Sequence, residues 1–376
     1  GVVTTFAGNI NLGVSRDGTT TAAGFLAPAG LTADAAGNLY VADTGSHLIR
    51  KITPAGVVTT LAGTAATAGS ADGNGTAATF NLPSSVAVDA AGSTVYVADY
   101  NNHVIRKIIV ATGDVSTFAG TAGSAGSTDG QSTAARFNFP RGVAVDSGGN
   151  VYVADSGNDT IRKISAAGLV QTLAGSAGAA GSSDGSGSAA RFNGPSGVAV
   201  DAALNVYVAD ASNSTIRLIT SAGVVSTIGG VAGSTSNVDG VGPAARFDHP
   251  AGLTVDATGN LYIADSRNHT IRIGFTATSG GTGGTGGTGG TGGTGGTGGT
   301  GGNGGTGGTG GGTNVGTGFV MHPGGLVLGV SGGFYVADTG NNSIKAVATD
   351  FTVTTFAGKD GTAGSANGTG SAASFN

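Results

Sequence analysis

Two histidines stand at matching positions ahead of successive predicted strands, where they could bind a metal ion. His249 lies in the segment FDHP and His322 in the segment VMHP. Neutral imidazoles bind zinc, but a site of this kind needs at least a third ligand. In the first four units of the chain the same position holds Ala27, Leu82, Phe139 and Gly194. We therefore favour local hydrogen bonding for both histidines, with a metal site near them as the alternative.

A second set of residues pairs an aspartate with a cation seven positions later, six times along the chain. The aspartate ends the second predicted strand of a unit, and the cation lies in the third. A pair in every unit is typical of a structural ion pair, because buried charges need partners and catalytic groups are seldom repeated sixfold. The predicted pairs are Asp43 with Arg50, Asp99 with Arg106, Asp155 with Arg162, Asp210 with Arg217, Asp265 with Arg272, and Asp338 with Lys345.

Two further polar sets recur between the predicted strands. Asp-Gly pairs in the connections between units favour Asx turns, with calcium binding as a minor alternative because a hard cation needs six or more oxygen ligands. These aspartates are Asp72, Asp129, Asp184 and Asp239. Three more histidines, His47, His103 and His269, occupy a turn position that holds Asp159, Ser214 or Asn342 in the other units. We interpret this position as a polar turn.

Composition narrows the possible function classes. The 376 residues include 76 glycines but no cysteine, which excludes disulfides and cysteine-bound zinc. The net charge of −5 argues against a protein that binds nucleic acid by general electrostatic attraction. No apolar run reaches the length of about 18 residues that a membrane-spanning helix needs. No nucleotide-binding loop or hydrolase motif is present, and we expect no cofactor.

The elements that must position these residues repeat along the chain. Phenylalanines at intervals of 55 to 72 residues open seven successive segments: Phe25, Phe80, Phe137, Phe192, Phe247, Phe319 and Phe375. The unit that starts at Phe137 contains four short apolar runs separated by turn residues, and we predict strands at Gly142–Val145, Val151–Ala154, Thr160–Ile164 and Val170–Ala174. Four-stranded antiparallel units packed between neighbours are propeller blades, although a linear stack of units fits the pattern too.

The segments NLYVADTGSHLIRKI, TVYVADYNNHVIRKI and NLYIADSRNHTIRI resemble NHL repeats. Six of the seven tyrosines occupy one position of this pattern, and the resemblance covers nearly the whole chain outside a Gly-Thr tract. The resemblance implies an all-β fold, a six-bladed β-propeller of four-stranded antiparallel blades. Lyases of the peptide-amidating type, which are similar to NHL proteins, use histidine and metal at the channel mouth. That resemblance is the reason to keep the metal alternative for His249 and His322.

The count of fourth strands raises a question of assembly. Unit five ends at TIRIGF (270–275) and runs into the Gly-Thr tract without a fourth strand, whereas unit six has a fourth strand of its own at 352–357. The amino-terminal segment of Val2, Val3, Thr4, Thr5, Phe6 and Ala7 is therefore expected to be a spare outer strand. It could reach blade five of the same ring, or add to blade five of a neighbouring molecule as an assembly strand. The Gly-Thr tract could also cover that edge.

The Gly-Thr tract divides the chain into three parts. We expect residues 1–279 to form the first five blades and the amino-terminal strand, 280–318 to be an insert, and 319–376 to form the sixth blade and a connection. The insert is either a flexible linker or an ordered glycine-rich helix. Its threonines are possible sites of O-glycosylation. These are Thr282, Thr285, Thr291, Thr294, Thr297 and Thr300.

These observations favour a non-enzymatic structural or interaction protein. We expect it to lie outside the cell or on its surface and to assemble with itself, with the subunit of a surface filament as one form of such an assembly. Glycans or other surface proteins are further expected partners, whereas nucleic acid and a membrane span are not expected. One alternative is a metal-dependent lyase or hydrolase with its site at the channel mouth near His249 and His322. Another is a propeller domain that senses a ligand.

Overall fold

The computed structural model describes residues 2–9, 13–275, 323–329, 333–347 and 368–369. The Gly-Thr tract, His322, Phe319, Phe375 and the predicted strand 352–357 lie outside these residues. Within the described part of the chain, the strands form six antiparallel sheets, which are the blades of a propeller. The all-β, six-bladed prediction is confirmed.

Each of the first four blades has four main strands and a two-residue outermost strand that comes from the preceding connection. Blade one contains β2 (Gly18–Thr19), β3 (Pro28–Ala33), β4 (Leu39–Asp43), β5 (Leu48–Ile52) and β6 (Val57–Ala62). Blade two contains β7 (Gly73–Asn74), β8 (Pro83–Val88), β9 (Thr94–Asp99), β10 (Val104–Ile109) and β11 (Asp114–Ala119). Blade three contains β12 (Gly130–Gln131), β13 (Pro140–Val145), β14 (Val151–Asp155), β15 (Thr160–Ile164) and β16 (Leu169–Gly175). Blade four contains β17 (Gly185–Ser186), β18 (Pro195–Val200), β19 (Val206–Asp210), β20 (Thr215–Ile219) and β21 (Val224–Gly229).

The last two blades differ from this pattern. Blade five contains β22 (Pro250–Val255), β23 (Asn260–Asp265) and β24 (Thr270–Phe275). Blade six contains β25 (Pro323–Leu328), β26 (Phe334–Asp338) and β27 (Ser343–Val347), and then β1 (Val2–Gly8) and β28 (Gly368–Thr369) from the two ends of the chain. Short 3₁₀ turns connect the strands at Thr20–Ala22, Thr44–Ser46, Gly75–Ala77, Tyr100–Asn102, Ser132–Ala134, Ser156–Asn158, Gly187–Ala189, Ala211–Asn213, Gly242–Ala244 and Thr339–Asn341.

The amino-terminal strand closes the ring. In β1, Val3 lies opposite Val347 and Thr4 opposite Ala346 in an antiparallel ladder with β27. The expectation that this segment is spare is therefore wrong, because its backbone pairs with blade six of the same chain. The fourth strand predicted for blade six, 352–357, lies outside the described residues.

The core lies between neighbouring blades. Strands β4, β14 and β19 are buried along their whole length, which explains why their sequences are almost continuously apolar. One apolar cluster joins Ala7 and Ile344 of blade six to Phe25 and Leu39 of blade one. Clusters of the same kind join blades one to five in turn. A ring of such contacts places the first strand of every blade at the central channel.

Candidate functional site

The first strands of all six blades line a cavity of about 380 Å³ at one mouth of the channel. Each of these strands begins at a proline and carries an irregularity of register within the next three residues, as between Pro140 and Gly142 in β13. A β-bulge of this kind re-aims side chains, and bulges are frequent next to binding sites. The register shifts therefore lie where the chain meets the cavity.

The cavity has an apolar floor and a partly polar rim. Leu31, Val86 and Val143 belong to the ring of side chains at its base, and the same residues border the channel below. Ser84 and Ser196 lie on the rim, but their hydroxyls already donate to carbonyl oxygens of the next blade: Ser84 to Arg141 at 2.7 Å and Ser196 to Ala251 at 2.8 Å. The hydrogen bonds of these serines therefore link neighbouring blades.

The sector between blades two and three departs from the repeat. Tyr100 and Arg141 line the cavity, where the other blades have smaller residues at both positions. The rings of Tyr100 and Phe139 lie 5.0 Å apart, and His103 meets Phe139 edge-on at 4.5 Å. Phe139 is 37% exposed although it is a large apolar side chain. This sector combines an aromatic surface with a cation, a combination that the sequence analysis did not single out.

His249 precedes Pro250, the first residue of β22 in blade five, as Phe139 precedes Pro140 in blade three. Its backbone is left-handed, with φ of 50°, and its Nδ1 is 2.7 Å from Asp248 Oδ1. The partner expected from the sequence, His322, lies outside the described residues. In the described part of the chain, no group of three or more histidine, cysteine, aspartate or glutamate residues is arranged to hold a metal ion. The contact with Asp248 is a local hydrogen bond.

The structure brings together all six predicted aspartate–cation pairs. The carboxylates of Asp43, Asp99, Asp155, Asp210 and Asp265 lie 2.8–3.0 Å from the Nη1 atoms of Arg50, Arg106, Arg162, Arg217 and Arg272. In blade six the distance from Lys345 Nζ to Asp338 Oδ2 is 3.9 Å, and the ammonium donates to Thr5 Oγ1 at 3.0 Å. All six aspartates are completely buried.

Each of the five arginines also holds a second aspartate; four of these, Asp72, Asp129, Asp184 and Asp239, were predicted from the sequence as turn residues with calcium binding as the alternative, and Asp17 was not predicted. The Nη2 atom of Arg106 lies 2.7 Å from Asp72, and the distances for Arg162, Arg217 and Arg272 to Asp129, Asp184 and Asp239 are 2.6, 2.8 and 2.6 Å. Arg50 holds Asp17 in the same way at 2.7 Å. Each guanidinium also lies 5.0–5.3 Å from the centre of the phenylalanine ring that opens its unit. The arginine thus ties the connection to the blade.

Burial governs the acid–base properties of these pairs. Desolvation raises the pKa of Asp99 to about 6, while hydrogen bonds from Asn81 and Asn102 and the charge of Arg106 oppose the rise. The pKa of Asp155 is raised to about 6 for the same reason. Desolvation lowers the pKa of Lys345, against the charge of Asp338. At neutral pH Asp99 and Asp155 are thus ionised and neutralised by their arginines.

The polar turn position has a role that the sequence analysis missed. In this turn, His47, His103, Asp159, Ser214 and Asn342 have left-handed backbones, and their side chains accept a hydrogen bond from a backbone N–H of the next blade. We call these contacts the interblade clasps. The last one runs from Asn342 to Ala27 at 2.7 Å and so joins blade six to blade one. The sequence contained a signal for these clasps. Each of these turn positions holds a residue whose side chain has an acceptor atom and whose backbone tolerates a left-handed conformation.

In two clasps the acceptor is a histidine ring. Nδ1 of His47 accepts from Leu82 N at 3.1 Å, and Nδ1 of His103 accepts from Phe139 N at 3.0 Å. An imidazole nitrogen that accepts a hydrogen bond carries no proton, so both clasps require the neutral ring. Partial burial lowers the pKa of both histidines, which favours that form.

Comparisons with known proteins agree with the fold. A family model described as the NHL repeat matches residues 25–52, 80–108, 137–164, 192–217 and 247–273. NHL repeat-containing protein 2 of Homo sapiens is 31% identical over 342 residues, covering 82% of this chain and 44% of the relative. The Bos taurus protein of the same name is 30% identical over 354 residues, covering 85% of this chain and 46% of the relative. The chain therefore spans about half the length of these relatives.

The comparison with solved structures finds matches at low sequence identity. A virginiamycin B lyase from Staphylococcus aureus is 13% identical, with a TM-score of 0.49 over 86% of this chain and 82% of the lyase. Among the described residues, no helix has the length and apolar character needed to cross a bilayer. The matched repeats, together with the closed ring of six blades, show that this chain belongs to the NHL-repeat family of β-propellers.

Proposed function

We propose that this chain is a non-enzymatic propeller that acts through contacts at its surface, and that its copies associate by exchanging a strand at blade five. The observation that carries the proposal is the outer edge of β24. Blades one to four and blade six have a fourth strand, whereas the described residues supply none to blade five. An open edge offers a row of backbone donors and acceptors to any strand that fits.

The spacing of the chain supports residues 352–357 as the strand that fits. In the regular blades the alanine near the end of a fourth strand precedes the next small outermost strand by eleven residues, as from Ala62 to Gly73 and from Ala119 to Gly130. The small strand always belongs to the following blade. Gly368, eleven residues after Ala357, lies on β1 in blade six. From this spacing we infer that 352–357, which lie outside the described residues, supply the strand for the edge of blade five.

Exchange between copies follows from this fit. An edge that accepts a segment of its own chain accepts the same segment from a second copy with the same local contacts, which is the basis of domain swapping. Exchange grows with concentration, so a dense arrangement on a cell surface favours it. We propose the location on the cell surface from the composition. We also propose, from the sequence alone, that the copies form a filament and that the Gly-Thr tract is glycosylated.

Engineered cysteines test the exchange, because the chain has no cysteine of its own. By analogy with Leu218 and Ser226, which are opposite each other in blade four, Ile273 should lie opposite Thr354. Two single variants, Ile273→Cys and Thr354→Cys, are mixed over a range of concentrations and oxidised. We expect mixed disulfide dimers whose yield rises with concentration. Thr4→Cys is the matched control, since Thr4 is the equivalent position in β1 and pairs with Ala346.

Two outcomes would contradict the proposal. If the mixed chains form no dimer while a double variant closes an internal disulfide, the edge is completed within one chain and copies do not exchange. If Thr4→Cys forms dimers with Ile273→Cys as readily as Thr354→Cys does, residues 352–357 are not the specific strand.

A further inference from the structure

We propose that the cavity at the channel mouth binds a small organic acid that contains a ring, whose carboxylate contacts Arg141 and whose ring face lies against Tyr100. This goes beyond the proposed function, which concerns the outer edge of blade five. The ligand class covers aromatic acids and sugar acids, because both combine an anionic group with a ring face that stacks on an aromatic side chain.

Arg141 is the cation of the site. It is an exposed residue in the bulge of β13 and lines the cavity. Among the contacts of the described residues, its side chain has no ion pair, whereas Arg106 and Arg162 each hold two aspartates. A guanidinium offers a planar fork of donors that fits a carboxylate. The charge of the site therefore complements an anion.

The aromatic side of the site is held in place from below. Phe139 packs against both Tyr100 and His103, and its backbone N–H donates to His103 Nδ1 at 3.0 Å. The backbone of Phe139 is thus anchored to His103, and its ring packs between the rings of His103 and Tyr100. A supported ring loses little conformational freedom when a ligand stacks on it.

The remainder of the cavity fits a small ligand. Its volume of about 380 Å³ lies near the lower end of the range of roughly 300–1,000 Å³ for ligand pockets. Leu31, Val86 and Leu82 offer apolar surface, and the rim serines Ser84 and Ser196 are already bonded to carbonyl groups. Arg141 is consequently the group that can select an anionic ligand.

The site occurs in only one sector of the ring. In the other blades the position of Arg141 holds Ala29, Ser84, Ser196, Ala251 and Gly324. The position of Tyr100 holds Thr44, Ser156, Ala211, Ser266 and Thr339. Neither large side chain is needed to build a blade, since five other blades form without them. Their coincidence at one cavity is explained by binding.

Titration with defined probes tests the proposal. Benzoate and glucuronate are titrated into the full chain, with benzamide and glucose as neutral counterparts, and binding is followed by NMR. We expect at least one acid to bind more tightly than its neutral counterpart. Arg141→Ala should weaken that binding about tenfold or more, because a charge-assisted hydrogen bond is lost. Tyr100→Ala should also weaken it, while Tyr100→Phe should retain most of it.

Arg267→Ala is the control, because it removes an exposed positive charge from a turn of blade five and leaves the cavity intact. Its affinity should stay within about twofold of the parent, as for other changes at exposed positions away from the contact. Circular dichroism shows that each variant is folded. The proposal is overturned if neither acid binds at 10 mM, if the neutral counterparts bind equally well, or if Arg267→Ala weakens binding as much as Arg141→Ala.

Discussion

At the scale of single residues, the buried arginines connect three parts of each repeat. Arg106 contacts Asp99 in its own blade, Asp72 in the connection, and the ring of Phe80. Because Asp72 and Arg106 are far apart in sequence, the pattern suggested a turn or a calcium ligand at Asp72 and not an ion pair with Arg106. The pairing seven residues apart was visible in the sequence, since one spacing recurs in all six units.

Removal of the Arg106 guanidinium should strongly destabilise the protein. Arg106→Met leaves the buried carboxylate of Asp99 without its cation, and such a loss costs about 3–5 kcal/mol. Arg106→Lys should cost less, because blade six forms with Lys345 at the same position. Urea unfolding measures these differences in the free energy of unfolding. Lys107→Met, one residue along the strand, is the control, and an equal loss in both methionine variants would refute the structural role.

The histidine clasps predict a dependence of stability on pH. Folding lowers the pKa of His47 and His103 below the ordinary value of 6.5, so the unfolded chain binds more protons. Their contribution is complete above pH 6.5 and is lost as the pH falls below it. The double variant His47→Asn, His103→Asn should keep the clasps without titration, because Asn342 already makes one.

Urea unfolding at pH 7.5, 6.5 and 5.0 compares the double variant with the parent. The free energy of unfolding of the parent should fall more steeply towards pH 5.0. The buried aspartates titrate in both proteins, so the difference between the two curves reports the histidines. Parallel curves would show that the rings do not act as neutral acceptors.

At the scale of elements, a glycine at the end of each fourth strand lets that strand approach the preceding turn. Gly175 has φ of +95°, and a Cβ atom there would lie 2.6 Å from the carbonyl oxygen of Asp159. Gly8 meets Asn342 in the same way, with φ of +100° and a distance of 2.7 Å. The repeated Ala-Gly pair in the sequence therefore marks a close backbone approach.

Substitution at Gly175 separates the effect of steric contact from the effect of backbone strain. Gly178 also has a positive φ, +72°, but a Cβ atom there would have no neighbour within 4 Å. We expect Gly175→Ala to lower the free energy of unfolding by about 2 kcal/mol more than Gly178→Ala does, because it adds a clash to the strain. Thermal unfolding of both variants measures the difference. If the two alanines cost the same, close approach does not explain the glycine.

The sequence predicted the elements better than their partners. The third strand predicted at Thr160–Ile164 has the same bounds in the structure, and the other three strands predicted for that blade extend by one or two residues at their ends. The alternation of apolar and polar residues and the turn residues determine structure close to them in the chain, so strands can be predicted from a short stretch of sequence. The partner of β1 was not predicted, because residues 3–8 and 353–358 have the same sequence, VTTFAG, and either fits β27.

The candidate site was only partly visible in the sequence. The histidine at position 249 attracted attention because of its chemistry, yet the structure gives it a local contact with Asp248. Tyr100, Phe139 and Arg141 come from two different blades, and the structure shows that they lie in one sector of the ring. Several residues that depart from the repeat in one sector indicated a candidate site better than the chemical type of a single residue such as His249.

At the scale of the whole molecule, the ring depends on contacts between its first and last blades. Blade six reaches blade one through the clasp of Asn342, through Thr339 Oγ1, which donates to the Pro28 carbonyl at 2.6 Å, and through the cluster around Phe25. The channel mouth is complete only when all six first strands meet. Ring closure by β1 is therefore a condition for the proposed ligand site.

A disulfide between β1 and β27 tests ring closure most directly. Thr4 and Ala346 are opposite each other across the two strands, and the chain has no other cysteine to compete. We measure the mass and oligomeric state of the Thr4→Cys, Ala346→Cys variant after oxidation in dilute solution. The account predicts a monomer that has lost two hydrogens and carries an internal disulfide. Free thiols or disulfide-linked dimers would contradict the closed ring.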